Sequence, residues 1–171
     1  MELTFSRRSQ SIPEGIFSLL NTKKEELLKA GRTVYNFSVG TPDFQPPVHI
    51  MEAMQRACAD PENYKYALTD RTELLEAVKG FYDRRFGVSL QTDQIMSLYG
   101  SQEGMAHIAL VLCDPGDTVL VPDPGYPVFG VGPQLTGAEC VTYPLYKEHN
   151  FLPDFEDIPE KYAKAAKFMM I

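Results

Sequence analysis

The residues best suited to chemistry lie in the turn Gly100-Ser101-Gln102-Glu103-Gly104. Ahead of it, Ile95, Met96 and Leu98 read as a short apolar strand that stops at Gly100. After it, Met105, Ile108, Ala109 and Leu112 recur at helical spacing, so the turn opens a helix. A helix N-terminus that follows a strand presents unpaired backbone N–H groups and the positive end of a dipole, which suits an anion. Ser101 and Gln102 add side-chain donors at that point, and the combination reads as a phosphate seat. The same residues equally describe a plain bend, with Ser101 as N-cap and the glycines permitting the curve. The turn is neither a P-loop nor a dinucleotide fingerprint, because the middle glycine is absent and no Gly-Lys-Ser/Thr follows.

A second stretch of interest is Asp123-Pro124-Gly125-Tyr126-Pro127, directly after the apolar run Thr118–Val121. Two prolines fix the backbone around Tyr126 and hold its ring at the carboxyl end of a strand, where open α/β sheets bind ligands. Read alone, Tyr126 also fits a ring that caps the core. Tyr66, in Tyr64-Lys65-Tyr66, reads as an aromatic half-buried at an element edge. Gly40, in Gly40-Thr41-Pro42-Asp43, reads as a plain turn with the backbone bare on one side. His49, His107 and His149 show no ligand spacing, and Cys58, Cys113 and Cys140 are widely spaced and lack partner motifs.

The elements that must position these residues follow in order. Ser11-Ile12-Pro13-Glu14 has the form of a capping box with Pro near the first helical position. Thr22 with Glu25 repeats the start signal, and Gly31 gives a stop, so one or two short helices are expected before residue 31. Val34 to Val39 predicts a short strand. Pro46-Pro47 leads into a helix from about Val48 to Ala59, with Met51, Met54 and Cys58 as its core stripe. Asp70 is the expected N-cap of the next helix, with Glu73 three residues on; Leu74, Leu75, Val78, Phe81 and Tyr82 form its buried face, and Gly87 ends it. Asp114-Pro115-Gly116-Asp117 is a turn before the strand Thr118–Val121. Further strands are expected at Ala138–Tyr143 and Lys167–Ile171.

The order of Gly100–Gly104, then Asp114–Asp117, then Val119–Pro127 resembles the fold-type I pyridoxal-phosphate aminotransferases of class I/II. The likeness is greatest to the LL-diaminopimelate and aspartate aminotransferase branch. Further matches are Ser38–Pro47, Tyr64–Asp70 and Phe81–Val88, so the resemblance spans nearly the whole chain in the right order. It implies an α/β fold: the three-layer αβα large domain with a mostly parallel sheet, truncated here, preceded by an N-terminal helical arm. Residues 1–33 would be that arm and part of a small domain, and 34–171 an incomplete N-terminal half of the cofactor-binding domain. The arm of this family packs across a dimer partner.

The same resemblance implies pyridoxal 5'-phosphate as cofactor, with amino acid and 2-oxo acid as substrates of ping-pong amino-group transfer. Ser101 and Gln102 would bind the phosphate, and Tyr126 would stack on the cofactor ring. Tyr66 would reach the phosphate of the other subunit in a homodimer with a shared active site. The backbone amide of Gly40 would face the substrate carboxylate. Arg71-Thr72 departs from the pattern, because a glycine, often followed by proline, is usual there.

The family's chemistry also needs a lysine, an acidic partner for the pyridine nitrogen and an arginine clamp on the substrate carboxylate. None of the lysines here stands in a family-like Ser-x-x-Lys context, so no catalytic lysine is assigned, and the expectation is a fragment inactive by itself. An unpaired first strand at 94–99 and exposed apolar sheet surface are expected with it, and hence poor stability or association. Two other readings remain at this stage: a non-catalytic piece with an assembly role, and a pyridoxal-phosphate lyase of the same fold.

Composition bounds the rest. The 171 residues are 44% hydrophobic, as in a globular protein, and the net charge of -7 argues against nucleic-acid or anionic-membrane partners. Arg84-Arg85 is the densest basic spot and reads as a solvated helix face. Arg7-Arg8 is followed by polar residues, without the apolar region of a signal peptide, and no run is long enough to span a bilayer. Three unpaired cysteines suit a reduced compartment, so a cytoplasmic location is expected.

Overall fold

In the computed structural model, which describes residues 4–12, 14–38 and 40–171, the sheet is the organising element. The helices in chain order are α1 (Arg7–Gln10), α2 (Ile16–Lys29), α3 (Val48–Ala59), α4 (Thr72–Phe86), α5 (Ser101–Leu112), α6 (Val128–Thr136) and α7 (Glu160–Ala165). The strands are β1 (Thr118–Asp123), β2 (Glu139–Pro144) and β3 (Ala166–Met169). The sheet order is β2-β1-β3, and both pairings are parallel. A parallel pair needs a crossover, and α6 supplies it between β1 and β2, while α7 leads into β3.

β1 is central and its first five residues are buried, as a continuous apolar run covered on both faces should be. Its side chains alternate across the sheet. Val119 and Val121 pack with Ala138, Phe129 and Phe168 on one side; Leu120 packs with Tyr143, Ile158 and Tyr162 on the other. Phe129 belongs to α6 and Tyr162 to α7, so helices cover both faces and the architecture is a three-layer αβα sandwich. The expected strands at Thr118–Val121, Ala138–Tyr143 and Lys167–Ile171 are all present, shifted by one or two residues at their ends.

The chain divides into two compact units, Met1–Asn36 with Leu98–Ile171, and Phe37–Ser97. In the first, α5 lies against α6 at close range: a Cβ on Gly132 would sit 2.7 Å from the Ala106 carbonyl oxygen. α1 is tied to the end of α6, since Arg8 Nη1 donates to the Leu135 carbonyl at 3.1 Å. A cation at a helix C-terminus meets carbonyls that lack helical partners. The second unit holds α3 and α4. α3 has the expected bounds, and α4 ends at Gly87, which adopts the left-handed conformation at φ 66.

Several expectations are corrected. The capping box at Ser11 does not form: Ser11 is the C-cap of α1, α2 starts after Gly15, and Pro13 lies outside the described residues. Thr22 is inside α2 and opens no second helix. Residues 32–37 form no strand, and Val39 lies outside the described residues. Residues 95–98 are likewise in no ladder among the described residues, although Ile95 is extended at φ -123 and ψ 133. Apolar type alone makes a segment strand-like, but only a neighbouring strand makes it part of a sheet. Met54 and Cys58 on α3 are exposed rather than core, and so are Leu74, Phe81 and Tyr82 on α4. No helix among the described residues is long and apolar enough to cross a membrane.

Candidate functional site

In the first unit, the loop after β1 meets the N-terminus of α5. The N-cap of α5 is Gly100, at φ 93 and ψ 149, and no side chain caps the helix. Ser101 is therefore the first helical residue rather than the N-cap that its hydroxyl suggested, because glycine alone readily takes the preceding conformation. The Glu103 N–H turns back to the Gly100 carbonyl at 3.1 Å, and a helix N-terminus without a side-chain cap suits an anion. Glu103 steadies the turn from within, its Oε2 accepting from the Tyr99 N–H at 2.7 Å.

Tyr126 lies three residues beyond the end of β1, and its phenol donates to Gln102 Oε1 at 3.1 Å. That bond occupies the carbonyl of the Gln102 amide, and Nε2 remains a donor. The ring is 43% exposed and meets Phe129 edge-on, with centroids 6.1 Å apart. Gly125 lets the backbone fold tightly before it, since a Cβ there would lie 2.4 Å from the Pro122 carbonyl oxygen. The Asp123–Pro124 peptide is cis. Ser101, Gln102 and Tyr126, picked from separate motifs, thus come together beyond the carboxyl end of the central strand.

Tyr66 and Gly40 lie in the second unit. Tyr66 is 89% exposed, in contrast to the half-buried edge position read from sequence. Gly40 is exposed, and a Cβ built on it would meet nothing within 4 Å. Near them, Asp70 is not the N-cap of α4, a place taken by Arg71. Its carboxylate instead accepts the Ser97 N–H at 3.1 Å and the Ser97 hydroxyl, and these bonds hold its pKa below the ordinary carboxylate value.

Among the described residues, two further groups of ionisable side chains stand out. Cys113 and Cys140 flank the core of the first unit, and burial pushes both thiols upward, away from thiolate chemistry. His149, Asp154 and Asp157 do bring ligand atoms within 4.8 Å of one another, which their sequence spacing did not suggest. The Oδ1 atom of Asp154 is engaged there as a turn cap, accepting the Glu156 N–H at 3.0 Å. Sequence reasoning missed α6. Gly130, Gly132 and Pro133 read as breakers, although Pro127 ahead and Gly137 behind, at φ 90, are start and stop signals.

The parallel sheet with helices on both faces is a truncated αβα sandwich, and comparison with known proteins gives the family. The aminotransferase class I and II family matches residues 32–171, and the chain belongs to it. The LL-diaminopimelate aminotransferase of Aquifex aeolicus is 43% identical over 169 residues, covering 98% of this chain and 44% of the relative. That of Dehalococcoides mccartyi is 40% identical over 171 residues, covering 99% and 44%. The apo BacF structure from Bacillus subtilis superposes with a TM-score of 0.87 at 36% identity, covering 100% of this chain and 44% of that one. The chain thus spans less than half the length of the curated relatives it matches.

Enzymes of this family work with pyridoxal 5'-phosphate. The residues present fit that group: an uncapped helix N-terminus with a glycine at its head suits a phosphate, and the Tyr126 ring beside it suits a flat heterocycle.

Proposed function

We propose that this chain supplies the N-terminal, cofactor-binding portion of a pyridoxal-phosphate aminotransferase that transfers an amino group from an amino acid to a 2-oxo acid. The observation that carries this reading is the hydrogen bond from Tyr126 to Gln102 at the glycine-capped start of α5. On this reading the N–H groups of the first turn, with the Ser101 hydroxyl and the Gln102 amide, hold the phosphate. Tyr126 would stack on the cofactor ring and shield that side from water. The Gly40 amide receives the substrate carboxylate, and Tyr66 serves the phosphate of a partner copy, so the working form is a homodimer. Residues 1–33 act as the arm, and 34–171 belong to the cofactor-binding domain.

Bound pyridoxal phosphate supplies an electron sink for the bonds at the amino-acid α-carbon. The relatives at 40% and 43% identity favour LL-diaminopimelate as the amino donor. The testing experiment titrates the protein with pyridoxal phosphate, follows the phosphate by phosphorus NMR, and measures its intact mass after borohydride reduction. Saturable binding that weakens in Gln102→Leu supports the phosphate assignment. Binding that is unchanged in that variant overturns it. Stoichiometric conversion of LL-diaminopimelate and a 2-oxo acid supports the activity, whereas release of ammonia would mean a lyase.

A further inference from the structure

Arg71, where the family resemblance implies a glycine, has no role in the function proposed above. Its backbone, at φ -68 and ψ 136, is ordinary extended chain that demands no glycine. Its side chain makes two ties. Nη1 donates to Asn63 Oδ1 at 2.6 Å, and Nε lies 3.5 Å from the Glu73 carboxylate in the first turn of α4. Asn63 is itself anchored, because its Nδ2 donates to the Ala57 carbonyl near the end of α3 at 2.8 Å. The guanidinium fork therefore joins the end of α3 to the start of α4 through one asparagine.

The loop closed by this fork carries Tyr66, whose ring is too exposed for packing to hold it. A second tie lies at the same end of the loop, where Asp70 accepts the Ser97 N–H and hydroxyl. The loop itself lines a cavity of about 460 Å³, with Asn63, Lys65, Tyr66, Thr69 and Arg71 among its walls.

We propose that Arg71, acting through Asn63, is a positioning residue for Tyr66: the clasp fixes the direction in which the tyrosine projects. The proposal rests on the reading of Tyr66 as a phosphate-binding residue, but the clasp can be tested without cofactor. Chymotrypsin nicking at Tyr66 or Leu68 in the full chain, as isolated, reports opening of the loop. Asn63→Leu and Arg71→Gly should be cut about threefold faster or more, the scale of one exposed charge-assisted hydrogen bond. Asn63→Asp keeps an oxygen acceptor for Arg71 but loses the Nδ2 donor to the Ala57 carbonyl, so it should be cut at a rate between those of the unsubstituted protein and Asn63→Leu.

Equal cutting rates in all four proteins would overturn the clasp. Positioning is then tested by pyridoxal-phosphate affinity: the loss caused by Asn63→Leu should vanish when Tyr66→Phe is already present. Additive losses would mean that Asn63 acts elsewhere. If Tyr66→Phe alone leaves affinity unchanged, the phosphate role of Tyr66 fails, and the nicking rates still decide the clasp.

Discussion

The phenol of Tyr126 donates to Gln102 Oε1 at 3.1 Å, so the loop after β1 and the second residue of α5 share one hydrogen bond. The bond couples the ring to the proposed phosphate site. Tyr126→Phe should weaken pyridoxal-phosphate binding about threefold, as expected for loss of one hydrogen bond of about 0.5–1 kcal/mol. Tyr126→Ala also removes the aromatic face and should cost about tenfold or more. Equilibrium titration by cofactor absorbance measures both. Equal affinity in the alanine variant would remove Tyr126 from the site.

Gly100 heads α5 in a conformation of its own. At φ 93 and ψ 149 it is in a region that residues with a Cβ avoid, although a Cβ there would meet nothing within 4 Å. Gly100→Ala should therefore destabilise through backbone strain alone, by about 1–3 kcal/mol. Gly104 is the contrast. A Cβ there meets only the flexible Leu98 side chain at 2.7 Å, and helix propensity favours alanine by about 1 kcal/mol. Urea midpoints should fall for Gly100→Ala and stay nearly level for Gly104→Ala.

Periodicity made α3, α4 and α5 legible, and the apolar run at 118–121 revealed β1, because those signals are local. The co-location of Ser101, Gln102 and Tyr126 was legible through family resemblance and through the rule that ligands sit at strand carboxyl ends. What local sequence could not show depends on partners distant in the chain. Asp70 has the residue type and spacing of an N-cap, yet Ser97, 27 residues away, offers it two donors. The segment Ile95–Leu98 has strand composition, but a ladder is a property of two segments. α6 was hidden because Gly132 reads as a breaker until Ala106 is seen beside it.

That close approach gives the next prediction. The Cβ of Gly132→Ala would lie 2.7 Å from the Ala106 oxygen and 3.1 Å from its Cα, and backbone atoms cannot swing aside. α5 and α6 must separate, at a cost of about 1–3 kcal/mol for overpacking. Since α5 carries the proposed phosphate site, the variant should lose thermal stability and pyridoxal-phosphate affinity together. Loss of neither would mean that the helices slide freely.

The last turn of α5 exposes apolar side chains: Val111 is 80% and Leu110 62% exposed, with Ile108 and Leu112 also exposed. Contiguous apolar surface of this kind drives association. The isolated 171-residue chain should therefore elute above its monomer mass of 19.2 kDa in size-exclusion chromatography with light scattering. Leu110→Lys with Val111→Glu should shift it toward monomer. A cooperative thermal melt of a monomeric wild-type chain would contradict the expectation.

Asp70 should show the acid side of the same architecture. The Ser97 hydroxyl, then the Ser97 N–H, lower its folded-state pKa, while the unfolded chain titrates near the ordinary value of about 3.9. A carboxyl with a depressed native pKa contributes stability that is full above the unfolded value and is lost as pH falls through the native value. The stability difference between wild type and Asp70→Asn should thus be constant at neutral pH and disappear only in acid below the usual carboxylate range. Ser97→Ala removes the larger cause and keeps the backbone donor, so Asp70 should then titrate closer to its ordinary value. Carbon-13 NMR of the Asp70 carboxyl reads both titrations directly. A wild-type midpoint at the ordinary value would mean that Ser97 does not hold Asp70 in solution, and the second tie at the Tyr66 loop would go with it.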